Sequence, residues 1–442
     1  MFTSAGSRRR YAFSLGEVEV LRQVTVASGV LALLVLALAA AARGQPGVRA
    51  DVVRQVAALG VAVLASAVSA AALAATPNTQ CGDSHPSRTW RDYANEVAFR
   101  GDFRFAAKDV PRLIAALGLD GDEAAGRCVE DRYSFSADTA ISVLLYTMAR
   151  GATLQQLNDR FGLKRTKASA VLRWTIRTVY ERWHKRLFVT DFKRWAPQFP
   201  EWAEAVLARQ GRQEGYAGIV GFVDGTFFAT SRPKKNLQRF FFSGHKWDHG
   251  VHFLGVQAPI GLLIDFSGPW EGRHQDKWML KVSKLLERFE ACMIWAATQS
   301  FGSARWIAQL FYLFGDAGFT LRPWLQVQFS GRHLTAAQTA CNFSLSHTRI
   351  ANEWIFGRME QLWKFLSREG ELKILRGNVG PLITVTAILT NALTCCDGGN
   401  QTSEYFGLTH LVPSLEEYFG GAPAAAACPK AWYENWDEFP QH

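Results

Sequence analysis

The chain has 442 residues, of which 48% are hydrophobic, and a formal net charge of +10. The chain is longer than a typical single domain, so we expect two or three domains. The apolar content argues against a wholly disordered protein. The positive charge favours a polyanion such as DNA as partner, although an ordinary soluble basic protein has the same balance. The seven cysteines contain no Cys-x-x-Cys pair, so neither a zinc site nor a secreted disulfide framework is indicated. We expect a reducing intracellular compartment.

Residues 1–90 are interpreted as an Ala-rich hydrophobic segment followed by a linker. Residues 24–42 and 55–76 carry no charged side chain, and either run is long enough to span a bilayer. Both runs are dominated by Ala, with Gly and Ser, which weakens the drive for insertion. A membrane hairpin, soluble helices and a misassigned gene start therefore all stay open. A cleavable signal peptide after the three arginines at 8–10 is a further alternative.

Residues 91–210 are predicted to form an all-helical DNA-binding region. Ser136 is a suitable cap for a helix that ends at Arg150 and Gly151. Two apolar-periodic runs then flank Gly162, which is typical of a helix-turn-helix. The basic residues of its second helix that we expect to face DNA are Lys164, Arg165, Lys167 and Arg173. The alternative is an ordinary helical hairpin with a solvated basic face.

Residues 211–396 are predicted to form an α/β domain with a mixed sheet, of ribonuclease H-like type. The expected elements are a buried strand at 218–223, a hairpin at 252–266, a helical pattern at 275–289, a short strand at 310–314 and a helix at 349–366. Residues 397–442 are interpreted as a C-terminal extension.

Three acidic residues of this domain predict its chemistry. Asp224 and Asp316 each end an apolar run and are followed by Gly or Ala-Gly, as at the end of a buried strand, and Glu353 lies in a helical stretch. Carboxylate oxygens suit Mg²⁺ or Mn²⁺, and paired ions of this kind act on phosphodiesters. The alternatives are turn-capping aspartates and a surface pair between Glu353 and Arg349. Asp276 is the main competitor for a place in the site.

A predicted loop after Asp224 contains three basic residues, Lys234, Lys235 and Arg239. They either contact DNA phosphates or belong to a solvated loop. The histidines at 245, 249 and 252 are interpreted as polar groups near the substrate phosphates, or as solvated, rather than as zinc ligands.

Several ordered motifs resemble the catalytic domain of PIF/Harbinger transposases, which the domesticated Harbinger transposase-derived nuclease of animals shares. They are Val-Asp-Gly-Thr at 223–226, Ser-Arg-Pro at 231–233, Phe-Ser-Gly-His-Lys at 242–246, Gly-Pro-Trp-Glu-Gly-Arg-His-Gln-Asp at 268–276, Phe-Gly-Asp-Ala-Gly-Phe at 314–319, Asn-Phe-Ser-Leu-Ser-His-Thr-Arg at 342–349 and Glu-Trp-Ile-Phe-Gly-Arg at 353–358. The resemblance covers about residues 130–370. One departure is Gln275 before Asp276, with His274 one place early, where such proteins usually have His-Asp; any special role of a histidine there is in doubt.

By this resemblance, Asp224, Asp316 and Glu353 correspond to the family's metal-binding Asp, Asp and Glu. The implied activity is divalent-metal-dependent cleavage, and joining, of DNA in the nucleus. A Myb-like DNA-binding partner is implied by resemblance alone, and homo-oligomerisation stays open. A catalytically silent DNA-binding protein and a membrane-anchored protein with a nuclease-like domain are the competing interpretations.

Overall fold

The computed structural model describes residues 88–120, 127–130, 133–188, 192–210, 217–299, 311–367 and 379–420. By its internal contacts the chain divides into two compact units, Met1–Ser84 and His85–His442, and every described residue belongs to the second. The uncharged runs at 24–42 and 55–76 lie outside the described residues, so both the membrane and the soluble interpretations stay predictions. The tail from residue 421 lies outside as well.

The helices that precede the sheet begin and end largely through local capping. They are α1 (Glu96–Phe103), α2 (Val110–Leu117), α3 (Ala137–Arg150), α4 (Leu154–Phe161), α5 (Arg165–Trp183), α6 (Lys185–Phe188) and α7 (Phe199–Arg209). The Ser136 hydroxyl accepts a hydrogen bond from the backbone N–H of Thr139 at the start of α3, which ends at a left-handed Gly151. The side chain of Thr153 caps α4, which ends at Gly162 with φ of +69°. These ends agree with the predicted ones.

The helices α4 and α5 form the predicted pair joined by a glycine turn, and α5 also packs against α3. Leu157 and Phe161 of α4 are buried, as are Val171 and Ile176 of α5. The apolar pattern of the sequence therefore predicted the packed faces of both helices.

The region before the sheet is not all-helical, which corrects the prediction. Here β1 (Arg127–Glu130) and β2 (Tyr133–Ser136) pair as an antiparallel hairpin. Phe135 is buried, and its ring meets that of Trp174 edge-on with 5.4 Å between the centroids. The Tyr133 hydroxyl donates to Thr166 Oγ1 at 2.8 Å. Four-residue strands are too short to show a clear alternating pattern, and contacts with α5, which is remote in sequence, hold them.

The described residues contribute six strands to one mixed sheet. The strands are β3 (Ile219–Ala229), β4 (Phe242–Ser243), β5 (Asp248–Gln257), β6 (Leu263–Glu271), β7 (Tyr312–Gly315) and β8 (Leu325–Gln326). Their order is β4-β5-β3-β7-β8, and β6 also pairs with β5. β5 is antiparallel to β3, β4 and β6, whereas β7 is parallel to both β3 and β8. The predicted hairpin at 252–266 is confirmed.

Asp224 does not end its strand, which corrects a second expectation. β3 continues to Ala229 because it stays paired with β5 from Phe222 to Ala229. On the other edge of β3, pairing with β7 stops at Val223 and Gly315. Gly225 therefore interrupts neither β3 nor its pairing with β5. Asp316, by contrast, directly follows the end of β7, as expected.

Helices cover the sheet. They are α8 (Gln238–Phe241), α9 (Asp276–Val282), α10 (Leu285–Thr298), α11 (Ala336–Leu362), α12 (Val379–Asp397), α13 (Gln401–Phe406) and α14 (Leu415–Phe419). The predicted pattern at 275–289 is divided between α9 and α10 at Lys284, whose φ is +51°. Residues 349–362 of the helix predicted at 349–366 belong to the longer α11, which ends at Leu362, four residues before the predicted end. A capping box between Thr335 and Gln338 begins α11.

The helix α12 is the central apolar element of this unit. It contacts both α5 and β6. The side-chain amide of Asn391 donates to the backbone carbonyl of Leu263 at 2.7 Å, and its oxygen accepts from the Leu263 N–H at 2.9 Å. Within the described residues, α12 is also the one helix with the length and apolar character of a membrane span. However, 89% of that window is buried in the protein, as in the core helix of a soluble domain.

One buried ion pair joins β6 to α10. Asp265 is only 1% exposed and lies within hydrogen-bond distance of Arg288, and the Ser267 hydroxyl donates to its other oxygen at 2.9 Å. Burial raises the pKa of Asp265, and the Arg288 guanidinium opposes that shift. The pair therefore offsets the desolvation of a charge that β6 places inside the protein.

We expect Arg288→Ala to lower the free energy of unfolding by about 3–5 kcal/mol, because it leaves the Asp265 carboxylate buried without its partner. Thermal and urea unfolding at pH 7 measure the loss. The double variant Asp265→Leu/Arg288→Met should recover most of it, since neither charge remains. Glu287→Ala, at an exposed position of the same helix, is the control. An equal loss in the control and in Arg288→Ala would contradict the assignment.

Candidate active site

Asp224 and Asp316 lie side by side at the point where two parallel strands separate. Val223 and Gly315 form the last pair between β3 and β7, and each aspartate is the next residue of its chain segment. Neighbouring strands are about 4.8 Å apart, so the two backbones are close at these positions. Both side chains are half-buried. The structure thus brings together the two aspartates that the sequence singled out.

Backbone N–H groups orient both carboxylates. The N–H of Gly225 donates to Asp224 Oδ1 at 2.9 Å, and the N–H of Gly318 donates to Asp316 Oδ1 at 2.9 Å. Phe319, which is buried, fixes the turn after β7, and its N–H donates to the carbonyl of Asp316 at 3.2 Å. A short turn with a buried anchor therefore holds Asp316 next to the continuous strand that holds Asp224.

The helix α11 covers the face of the sheet to which Asp224 belongs. Asp224 is paired with Gly255 of β5, and directly opposed residues of an antiparallel pair share a face. A side chain at Gly255 would meet the ring of Phe356 at 2.7 Å, so α11 packs closely there. Glu353 is in α11, one turn before Phe356. Its side chain lies outside the described part of the structure, so its role stays a prediction.

Asp276, the competitor from the sequence, approaches the same strand from α9. A Cβ atom at Gly225 would lie 2.2 Å from Asp276 Oδ1, so a larger residue there would displace this carboxylate. Burial raises the pKa of Asp276, and the charge of Asp316 raises it further, while His245 and Lys246 partly oppose the shift. Asp276 is thus a carboxyl group near Asp316, on the face of β3 opposite to that of Asp224. The sequence showed only its place in the motif at 268–276, because the contact with Gly225 is remote in sequence.

His245 and Lys246 belong to the turn between β4 and β5, and both are exposed. Both partly oppose the rise in the pKa of Asp276. His252 is mostly buried, which lowers its pKa to about 4, and Lys246 and other nearby histidines contribute to that shift. A neutral His252 at pH 7 follows. Lys246 was not singled out from the sequence as a functional residue.

His274 is engaged by its neighbours. Its ring stacks on that of Trp278 with 3.5 Å between centroids, and its Nε2 lies 3.3 Å from Glu271 Oε2. Among the side chains that the structure describes, no group of three acidic, histidine or cysteine residues could hold a metal ion.

The basic residues predicted to follow Asp224 lie beyond the end of β3. The Thr230 N–H still donates to the carbonyl of His249, after which the chain leaves the sheet. Lys234 and Lys235 are exposed in the loop, and Arg239 is exposed in α8. Their assignment as phosphate contacts stays a prediction.

The predicted recognition residues lie at the start and along the outer side of α5. Lys164 precedes the helix and Arg165 opens it. Lys164, Arg165 and Arg173 are exposed, whereas Lys167 is half-buried. Contact with DNA through these residues stays a prediction.

Comparison with known proteins bears on the same residues. Residues 223–391 match the family described as DDE superfamily endonuclease, and the match includes Asp224, Asp316 and Glu353. A curated relative, Protein ALP1-like from Arabidopsis thaliana, is 20% identical over 236 residues, which cover 52% of this chain and 54% of that protein. The similarity thus spans about half the length of that relative. No solved structure matches the chain. Residues 223–391 are accordingly similar to a DDE superfamily endonuclease domain.

Proposed function

We propose that this protein is a metal-dependent DNA endonuclease of the DDE transposase type, which cleaves phosphodiesters and, as a Harbinger-like transposase, also joins them. The observation that carries the proposal is the position of Asp224 and Asp316, which follow the last pair between β3 and β7 within the endonuclease domain. Two carboxylates side by side are the minimum needed to hold a divalent ion beside a phosphate.

The sheet supports a ribonuclease H-like fold for this domain. Its central strand β3 is antiparallel to β5 on one side and parallel to β7 on the other, and helices cover the sheet. In such an arrangement the first aspartate lies on the central strand and the second at the end of the parallel neighbour. That is the arrangement of Asp224 and Asp316 here.

The donor atoms at the site suit Mg²⁺ or Mn²⁺. Asp224 and Asp316 offer carboxylate oxygens, which these hard cations prefer over nitrogen or sulfur. Glu353 is the residue of α11 that we assign as the third ligand, since α11 packs on the face of Asp224. When bound, two such ions would lower the pKa of the attacking water and stabilise the departing 3′ oxygen.

Residues of the protein orient the carboxylates and attract the DNA phosphates. Asp224 and Asp316 are held by backbone N–H groups, so their orientation is set before substrate arrives. Lys246 places positive charge near Asp276, where it would attract the phosphates of the bound strand. In a transposition reaction the freed 3′ hydroxyl would attack target DNA at the same carboxylates.

DNA outside the cleavage site would be bound by the helix-turn-helix. Lys164, Arg165, Lys167 and Arg173 are assigned to this surface, and Lys234, Lys235 and Arg239 to phosphate contacts nearer the catalytic domain. A Myb-like partner protein, self-association and a nuclear location complete the proposal, all by analogy with the family that the sequence resembles.

Cleavage of supercoiled DNA tests the proposal. The full chain with Mg²⁺ or Mn²⁺ should nick plasmid DNA, and EDTA should abolish nicking. Asp224→Asn, Asp316→Asn and Glu353→Gln should each lower the rate at least 100-fold, because each removes a charged oxygen donor. Glu360→Gln, at an exposed position of α11, should cleave normally. Equal residual nicking by all these proteins would leave a DNA-binding protein without catalytic activity.

The salt dependence of DNA binding tests the helix-turn-helix. If Arg165 contacts a phosphate, Arg165→Ala should reduce the slope of log K against log salt by about 1. Fluorescence anisotropy with a labelled duplex in EDTA measures that slope. Lys108→Ala removes an exposed charge from another segment and should leave the slope unchanged. The same slope for wild type and Arg165→Ala would remove this residue from the interface.

The raised pKa of Asp276 predicts a pH-dependent stability difference. Asp has an unperturbed pKa of about 3.9, so ionisation of Asp276 costs more in the folded than in the unfolded chain. Its contribution to the free energy of unfolding is therefore lost as pH rises from about 4 through the folded-state pKa. Asp276→Asn cannot ionise. In EDTA this variant should melt at a higher temperature than wild type at pH 7, and the gap should close towards pH 4.

Exposed Asp159→Asn is the control for that experiment. Saturating Mg²⁺ should stabilise wild type at pH 7 and reduce the advantage of Asp276→Asn, since a bound cation offsets repulsion between Asp276 and Asp316. A lower melting temperature for Asp276→Asn at every pH would show that the carboxylate is stabilising instead.

A further inference from the structure

The turn between β4 and β5 displays a tryptophan to solvent. Trp247 is 83% exposed, the largest value among the large apolar side chains that the structure describes as exposed. Its backbone has φ of +56°, in the left-handed region that a bulky residue rarely adopts. Exposure of an indole and left-handed backbone are both unfavourable, so their combination at one residue points to a functional role.

The base of this turn is fixed. The Trp247 N–H donates to the carbonyl of Ser243 at 2.8 Å, and Ser243 is buried and paired with Asp248. Phe242 contacts the indole edge-on, with 6.5 Å between ring centroids. The backbone of Trp247 is therefore anchored while most of its side chain faces solvent.

The surroundings of Trp247 are cationic. Lys246 and His245 precede it directly and influence the pKa values of Asp276 and His252, so the turn lies near Asp276, whose carboxyl group meets β3 at Gly225. At the foot of the same hairpin, the guanidinium groups of Arg239 and Arg273 lie 4.8 Å and 4.5 Å from the centre of the Phe240 ring. An apolar protein surface would meet mostly charge here, whereas a nucleic acid offers both phosphates and aromatic bases.

We propose that Trp247 stacks on an unpaired base of the DNA strand held at Asp224 and Asp316, an inference that rests on the proposed function. Bases within a duplex are already stacked, so an aromatic side chain reaches only a base at a nick, a frayed end or a flipped position. Every base has a π face, so stacking does not depend on sequence. Lys246 and His245 would hold the flanking phosphates while the indole holds the base.

Fluorescence of 2-aminopurine tests the stacking directly. The probe is a duplex with a short single-stranded gap that contains one 2-aminopurine, and the full chain is added in EDTA so that no cleavage occurs. Wild type should quench the probe, because a stacked 2-aminopurine loses emission. Trp247→Ala should bind at least about fivefold more weakly and lose most of the quenching, as expected for one base-stacking contact.

Matched variants separate stacking from other roles of the side chain. Trp247→Phe keeps a ring and should retain quenching, whereas Trp247→Leu keeps apolar area without a ring and should lose it. Trp278→Ala removes a less exposed tryptophan, 39% exposed, whose ring is already stacked on His274, and should behave as wild type. Unchanged melting temperatures would confirm that all variants are folded.

The proposal is overturned if Trp247→Ala binds and quenches as wild type does, or if Trp247→Leu does. It is also overturned if Trp247→Ala changes the sedimentation coefficient of the free protein and not its binding to the gapped probe, since Trp247 would then serve contact between copies of the chain. Cleavage is measured separately. If Trp247→Ala loses quenching and the wild type does not nick DNA, base stacking is supported and the endonuclease proposal is rejected. If Asp224→Asn abolishes nicking and Trp247→Ala quenches as wild type does, the endonuclease proposal is supported and base stacking is rejected.

Discussion

The site depends on an unequal pairing of the two edges of β3. One edge remains paired with β5 as far as Ala229, whereas the other loses β7 after Val223. Asp224 is thus in a continuous strand on one side and next to the end of a strand on the other. The carboxylate gains the rigidity of the sheet without being enclosed by a neighbour on both edges. Asp316 lies in the turn that begins where β7 ends.

The sheet brings acidic groups to this point from more than one element. Asp224 is on the face covered by α11, Asp276 of α9 contacts the opposite face of β3 at Gly225, and Asp316 lies near Asp276. Burial of Asp276, and secondly the charge of Asp316, raise the pKa of Asp276, so its ionisation opposes folding. Sites that bind cations commonly have this property, because stability is exchanged for function where the ligand later neutralises the repulsion.

Local signals in the sequence predicted the elements that depend on neighbours in the chain. Ser136, Thr153 and Gly162 set helix ends, and the two strand-like runs within 252–266 predicted the hairpin. The two aspartates were found because each follows an apolar run. Their adjacency follows from a parallel pairing between strands remote in sequence, and the family resemblance rather than the local pattern implied it.

The predictions that were wrong or incomplete share one physical cause, which is contact between segments remote in sequence. Asp224 was expected to end its strand because Gly225 follows it, yet pairing with β5 carries the strand onward. The hairpin of β1 and β2 is held by Trp174 and Thr166 of α5, which short strands alone do not reveal. The contact of Asp276 with Gly225 and the exposure of Trp247 are equally invisible in a linear pattern.

The position of α12 between two elements has a consequence for the spacing between the DNA sequence that is bound and the bond that is cut. This buried helix contacts α5 on one side and β6 on the other, and Asn391 is hydrogen-bonded to β6 through both atoms of its amide. The helix that is proposed to bind DNA and the sheet of the proposed catalytic site therefore pack against the same buried helix. This shared packing predicts that the number of base pairs between the recognised sequence and the cut is constant.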